Sequence, residues 1–128
     1  MLINTPISLG ELLDKISILI IKKKNIKDKD KLKLITNELK LLNKTLDNVL
    51  INDLDIKIYL NKLIFINTKL WKIEDNIREC ERLKKYDEEF INLARSIYFT
   101  NDKRSKIKLE VNNKFGSTII EVKSYEVY

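Results

Sequence analysis

The stretch LNKLIFINTKLWKIEDNIREC, residues 60–80, decides the fold. Apolar side chains return at Leu60, Leu63, Ile66 (or Asn67), Leu70, Ile73, Ile77 and Cys80. Steps of three and four gather on one stripe only if the chain is an α-helix. No glycine or proline interrupts the run, and Asp53 or Asp55 can start it. The pattern predicts a helix over about 53–84, roughly 45 Å long at 1.5 Å per residue. So long a stripe needs apolar partners along its length.

Those partners lie on either side. Upstream, Pro6 excludes helix just before it, so residues 1–7 read as extended. Ser8-Leu9-Gly10-Glu11 is a capping box, in which Ser8 covers the Glu11 amide while Glu11 reaches back to Ser8. A helix over about 8–26 follows, with Leu9, Leu12, Leu13, Ile16, Leu19 and Ile20 inward. A charged turn leads to a second helix over about 28–47, capped by Asp28 or Asp30, with a seam of Leu32, Ile35, Leu39 and Leu42. The next break is Asn48 to Asp53. Downstream, Lys84-Lys85-Tyr86 turns the chain, and Asp87 caps a fourth helix over about 87–115, stopped by Gly116. Residues 117–128 read as a short strand or an extended tail. The fold class is therefore all-α, an antiparallel four-helix bundle of two helical hairpins with short extended N- and C-terminal segments.

Composition agrees. With 128 residues and 44% hydrophobic content, the chain can form one domain (1–128) with a real core. Two glycines and one proline are too few for the many turns of a β-sandwich or a doubly wound sheet. The single cysteine, Cys80, cannot form an internal disulfide and sits on the helix seam, where an inert core thiol is expected. The absence of histidine removes His-based zinc sites, Ser-His and Cys-His nucleophiles and the imidazole base. Residues 1–10 show no basic start or apolar core of a signal peptide, and no apolar run is long enough to span a bilayer. A cytoplasmic protein is expected.

The net charge of +6 is uneven: Lys22 to Lys44 holds nine lysines against three acids. That basic hairpin suits nucleic acid or an anionic surface. No arginine or aromatic side chain interleaves the lysines, which favours a merely solvated corner.

Arginine is more telling. Lysine outnumbers arginine 21 to 4, as AT-rich codon usage produces, yet all four arginines fall between Arg78 and Arg104. An arginine retained under that pressure points to a need for its planar five-donor fork. On the third helix Trp71, Glu74, Asp75, Arg78 and Arg82 share one face beside the seam. On the fourth, the seam Phe90, Leu93, Ala94, Ile97, Tyr98 is interrupted by Thr100, Asn101 and Arg104 before Ile107 and Val111 resume it. Arg95 and Asp102 flank the interruption, and the first helix adds Glu11, Asp14 and Lys15. Polar groups at seam positions are either paired in a buried network or line a cleft. In a cleft, arginines would hold a phosphate or carboxylate bidentately, and Glu74 and Asp75 are the acids that would hold Mg²⁺. The alternative is salt bridging, with Glu74–Arg78 and Asp75–Arg78 as pairs within the helix.

Four runs carry a family resemblance: Ile7 to Leu19, Leu70 to Glu81, Phe90 to Arg104 and Glu121 to Tyr125. They resemble a family of small bacterial and phage proteins classed as a domain of unknown function. Members of that family often occur near, or joined to, glycosyltransferase and surface-polysaccharide proteins. The resemblance implies an accessory role in such a pathway, with a protein partner there. Glu11, Asp14, Lys15, Trp71, Glu74, Asp75, Arg78, Arg95, Asn101, Asp102 and Arg104 match its motifs. A third helix longer than the first two can cover also predicts a homodimer. The function expected is a dimeric binding or scaffolding module. The alternatives are a Mg²⁺-dependent enzyme or binder of a phosphorylated small molecule, and weak nucleic-acid binding through Lys22 to Lys44.

Overall fold

The computed structural model describes residues 1–49 and 53–128. It contains four helices, α1 (Leu9–Asn25), α2 (Lys29–Asp47), α3 (Asp53–Arg82) and α4 (Glu88–Lys114), and no strand among the described residues. The chain is an all-α four-helix bundle. The expected break at Asn48 to Asp53 falls partly on residues 50–52, outside the described residues; so does the Asp53 side chain, one of the two expected caps of α3.

Three helices begin where a short polar side chain covers a free amide. Ser8 Oγ accepts from the Glu11 N–H at 3.1 Å, Asp28 from Lys31 at 2.9 Å and Asp87 from Phe90 at 3.4 Å. The Glu11 carboxylate does not complete the capping box: it accepts from Lys108 Nζ at 2.7 Å instead. A charged donor on a neighbouring helix outcompetes a backbone amide. At the end of α4, Gly116 adopts φ +64°, and the Ser117 N–H returns to the Asn112 carbonyl at 2.8 Å. Lys84 does the same after α3 at φ 52°, with Lys85 N–H bonded to Cys80 O at 2.8 Å.

α1 is the central helix, approaching α2, α3 and α4, and α3 also packs on α4. α2 comes close to α1 alone among the helices. The buried core is therefore drawn from three helices, with Leu13, Leu63 and Val111 fully buried beside Ile56 and Ile66, and α2 adds the half-buried Leu46 at its edge. Of the expected α2 seam, only Ile35 is buried, while Leu32, Leu39 and Leu42 are half-exposed. α1 runs parallel to α3 and antiparallel to α4: Gly10 meets Asn112 near one end, and Ile21 meets Trp71 and Glu74 near the other. At 17 residues α1 stops well short of the 30-residue α3, so the tip of the α3–α4 hairpin stands clear of it. Residues 117–128 run as an extended tail, with Glu121 near Lys108 and Tyr128 near Asp102 on α4. No described helix is long and apolar enough to cross a membrane.

Candidate functional site

A cleft of about 380 Å³ opens where α1 nears its end and α3 and α4 continue. Ile18, Ile21 and Leu70 line its apolar side; Asn67, Trp71, Glu74, Asp75, Arg78 and Arg104 supply the rest. The i, i+3, i+4, i+7 spacing of residues 67, 70, 71, 74, 75 and 78 aims one face of α3 into this space. Arg104 enters from α4, at the position where that helix's apolar seam is broken.

Arg104 is held in place. One terminal NH₂ donates to Asn101 Oδ1 at 2.7 Å, and the other donates to Asn67 Oδ1 at 3.4 Å. Its Nε–H is buried and has no acceptor among the described residues. Asn67, itself buried, gives its amide N–H groups to Asp14 Oδ1 at 2.7 Å and Ser17 Oγ at 2.8 Å. The Ser17 hydroxyl in turn donates to the Asp14 carbonyl at 2.7 Å. Asp14 is 4% exposed, a carboxylate that this helix–helix bonding keeps satisfied. Its second oxygen lies 3.8 Å from Lys108 Nζ, which also meets Glu11 at 2.7 Å and Glu121 at 3.5 Å. Burial opposes the charge on Lys108. The Glu11 hydrogen bond and the charges of Asp14, Glu11 and Glu121 outweigh it, so the ammonium is held above its ordinary pKa. A continuous polar chain thus crosses the bundle from Arg104 through Asn67, Asp14 and Lys108 to the tail.

At the mouth of the cleft Arg78 is largely exposed, with Nε 3.5 Å from Glu74. The expected Asp75–Arg78 pair does not form, and Asp75 has no ion-pair partner among the described residues. Trp71 is half-buried. Glu74 and Asp75 are the acids the sequence offered for a metal. No group of three or more His, Cys, Asp or Glu side chains converges as a metal-ligand set among the described residues.

The structure divides the sequence candidates into three groups. Trp71, Glu74, Asp75, Arg78 and Arg104 share the cleft, with Asn101 bonded to Arg104. Glu11 and Asp14 belong to the Lys108 cluster, joined to the cleft through Asn67. The rest lie elsewhere. Arg95 rests over the Phe99 ring at 5.8 Å, Asp102 accepts from the Tyr128 hydroxyl, and Lys15 is exposed to solvent. Residues 95 and 102 are roughly 160–180° around α4 from residue 104, at 100° per residue, so they cannot point with it. Sequence reasoning missed Lys108, Ser17 and Asn112. For Lys108 and Asn112 a signal was present: residues 101, 104, 108 and 112 continue one helical face, and a lysine and two asparagines on an apolar seam need partners. Comparison with protein-family models, curated proteins and solved structures finds no match for this chain.

Proposed function

We propose that the chain is a non-catalytic helical binding module, working as a homodimer, whose cleft takes a small molecule bearing a phosphate or carboxylate. One observation carries this reading: the buried Nε–H of Arg104, in a side chain that lines the cleft, has no acceptor. An unmet buried donor costs about 1–3 kcal/mol, and a small swing of the guanidinium toward the cleft would let a ligand oxygen remove that penalty. Asn101 and Asn67 hold the guanidinium terminus, so the fork is oriented before any ligand arrives. Arg78 offers a second cation at the rim, and Trp71 an apolar wall. Glu74 and Asp75 balance the two arginines, which favours a ligand that carries hydroxyl or amine donors beside its anionic group.

Trp71 is the only tryptophan, so its fluorescence reads the cleft directly. Titration with inorganic phosphate, pyrophosphate, a hexose 1-phosphate and a nucleoside monophosphate is expected to give saturable change for at least one. Arg104→Lys keeps charge but loses the fork, and should weaken that ligand at least about tenfold. No response to any probe below about 10 mM sinks the reading.

The dimer is supported by the α3–α4 tip beyond the end of α1, where Leu83, Tyr86 and Ile91 are exposed among charges of both signs. Sedimentation at tens of micromolar is expected to give twice the chain mass. The family resemblance adds a pathway: accessory service to surface-polysaccharide synthesis, beside a larger enzyme. A second reading, Mg²⁺-dependent chemistry on a phosphorylated molecule, draws on the Asp75 carboxylate, which lines the cleft without an ion-pair partner. Phosphate release that requires both Mg²⁺ and Asp75 would replace the first reading with this one.

A further inference from the structure

On a side of α3 away from the cleft, Ile58 and Phe65 lie seven residues apart and so on one line; Phe65 is 75% exposed. Between this line and α4 runs a groove of about 550 Å³, with Ile66 and Ile107 also in its lining. Its rim is cationic. Lys62, Lys103 and Lys106 stand there against one acid, Glu110, whose carboxylate lies 3.9 Å from Lys62 Nζ. Lys69 and Lys72 continue the same line of α3 beyond Phe65, and residues 58, 61, 62, 65, 69, 72 and 76 on that line include no acid. Lys69, Lys72, Lys103 and Lys106 make no ion pair among the described residues.

We infer that this groove docks an acidic amphipathic helix of a partner protein. An apolar trough flanked by lysines matches a helix whose large apolar side chains recur at i, i+3, i+4 and i+7 and whose flanks carry carboxylates. Burying Phe65 and Ile58 supplies the attraction, and the lysine rim supplies orientation and partner choice. A second copy fits poorly. A two-fold interface sets the same patch against itself, so the unpaired lysines of one chain would face those of the other. A nucleic-acid backbone would meet the lysines but leave the exposed aromatic ring and isoleucine without apolar partners. This inference is independent of the cleft and of the dimer at the α3–α4 tip.

The test uses two fluorescent synthetic helices of about 18 residues, long enough for five turns. Both carry the same leucine face; one is flanked by glutamates and the other by lysines. The full chain is expected to bind the glutamate-flanked helix saturably and more weakly as salt rises, and to ignore the lysine-flanked one. Phe65→Ser should weaken binding at least about tenfold, as for a central anchor of an interface. K103E/K106E should weaken the acidic helix and admit the basic one. The substituted side chains are exposed, so circular dichroism and the melting temperature should stay unchanged. The inference is overturned if the acidic helix fails to bind at about 1 mM, or if both helices bind alike. A dimer that Phe65→Ser converts to monomer overturns it too, since the groove would then belong to a second copy.

Discussion

Two single residues draw α1 against its neighbours, one by lacking a side chain and one by having the right amide. The Gly10 N–H donates to Asn112 Oδ1 at 2.8 Å, which draws α1 tight against α4. A Cβ at this position would stand 2.6 Å from the Lys108 carbonyl oxygen and 2.9 Å from Asn112 Oδ1. The first of these is backbone, so relief requires α4 itself to move. Gly10→Ala gains about 1 kcal/mol of helix propensity, yet overpacking costs about 1–3 kcal/mol, more where backbone must shift. The expected net is a loss, seen as a lower urea midpoint. A midpoint equal to or above that of the parent would show that the helices have room to separate. Asn67 is the second case. Its N–H groups serve the buried Asp14 and Ser17 while its oxygen faces Arg104. Asn67→Leu keeps the volume and removes all three bonds, leaving a carboxylate short of a donor. A loss of about 2 kcal/mol is expected, again from denaturant unfolding. The same variant unties Arg104, so the Trp71 fluorescence titration should show weaker ligand binding as well. Stability that falls with binding untouched would separate the structural role of Asn67 from its role in positioning the arginine.

At the scale of elements, the bundle is uneven. α1, α3 and α4 share a core, while α2 approaches α1 alone and buries only Ile35. Segments with few buried apolar contacts open first. Amide hydrogen exchange is therefore expected to be fastest in α2 and slowest around Leu13, Leu63 and Val111; equal protection in α2 and α3 would contradict this. Another element-level prediction concerns the end of α3. Lys84 adopts φ 52°, a left-handed conformation that costs a non-glycine residue about 1–2 kcal/mol. Lys84→Gly should raise the melting temperature slightly, because that strain exceeds the extra chain entropy of glycine. Helix ends were legible in the sequence wherever a cap marked them: Ser8, Asp28, Asp87 and Gly116 each stand where their chemistry predicts. The close of α3 carried no such mark, since lysine does not announce a left-handed turn. The cleft face was legible because Trp71, Glu74, Asp75 and Arg78 share one helix, where spacing alone sets direction. Arg95 and Asp102 fall outside the cleft because nearness along α4 is not nearness around it. Lys108 escaped notice because its partners, Glu11, Asp14 and Glu121, are distant in sequence, and periodicity assigns a face but never the neighbour opposite.

At the scale of the whole molecule, the tail ties the last residues back to the first turn of α1 and to α4, and its hold depends on pH. Ser117 Oγ lies 3.4 Å from the Leu9 N–H, Glu121 lies 3.5 Å from Lys108, and Tyr128 donates its hydroxyl to Asp102 between Tyr98 and Phe99. The hydrogen bond from Lys123, a neighbour within the tail itself, holds Glu121 below its ordinary 4.5 against some burial, and the Lys108 charge adds to it; only the Lys108 part depends on docking. A depressed carboxylate favours the docked form above about its free value and loses that contribution as pH falls through the docked one. Tyr128 runs the other way. Its bond to Asp102, then burial and the Asp102 charge, push its phenol from 10.0 up to about 12. A raised phenol favours docking fully below pH 10 and loses that contribution as pH climbs toward 12. Against burial, Lys108 is raised mainly by Glu11 and Asp14 of α1, and Glu121 of the tail adds the last part, so its own contribution to tail docking at alkaline pH is small. The tail should therefore stay docked through the neutral range and loosen at both ends of it. Carbon-13 shifts of Glu121, Val127 and Tyr128 followed from about pH 2 to about pH 12 give the direct reading. Tyr128→Phe should abolish the alkaline step from the phenol while sparing the acid one, and Glu121→Gln should abolish the acid step. The two anchors lie at opposite ends of the last eight residues, so the two steps are expected to be separable. Random-coil shifts at neutral pH would show that neither anchor holds the tail.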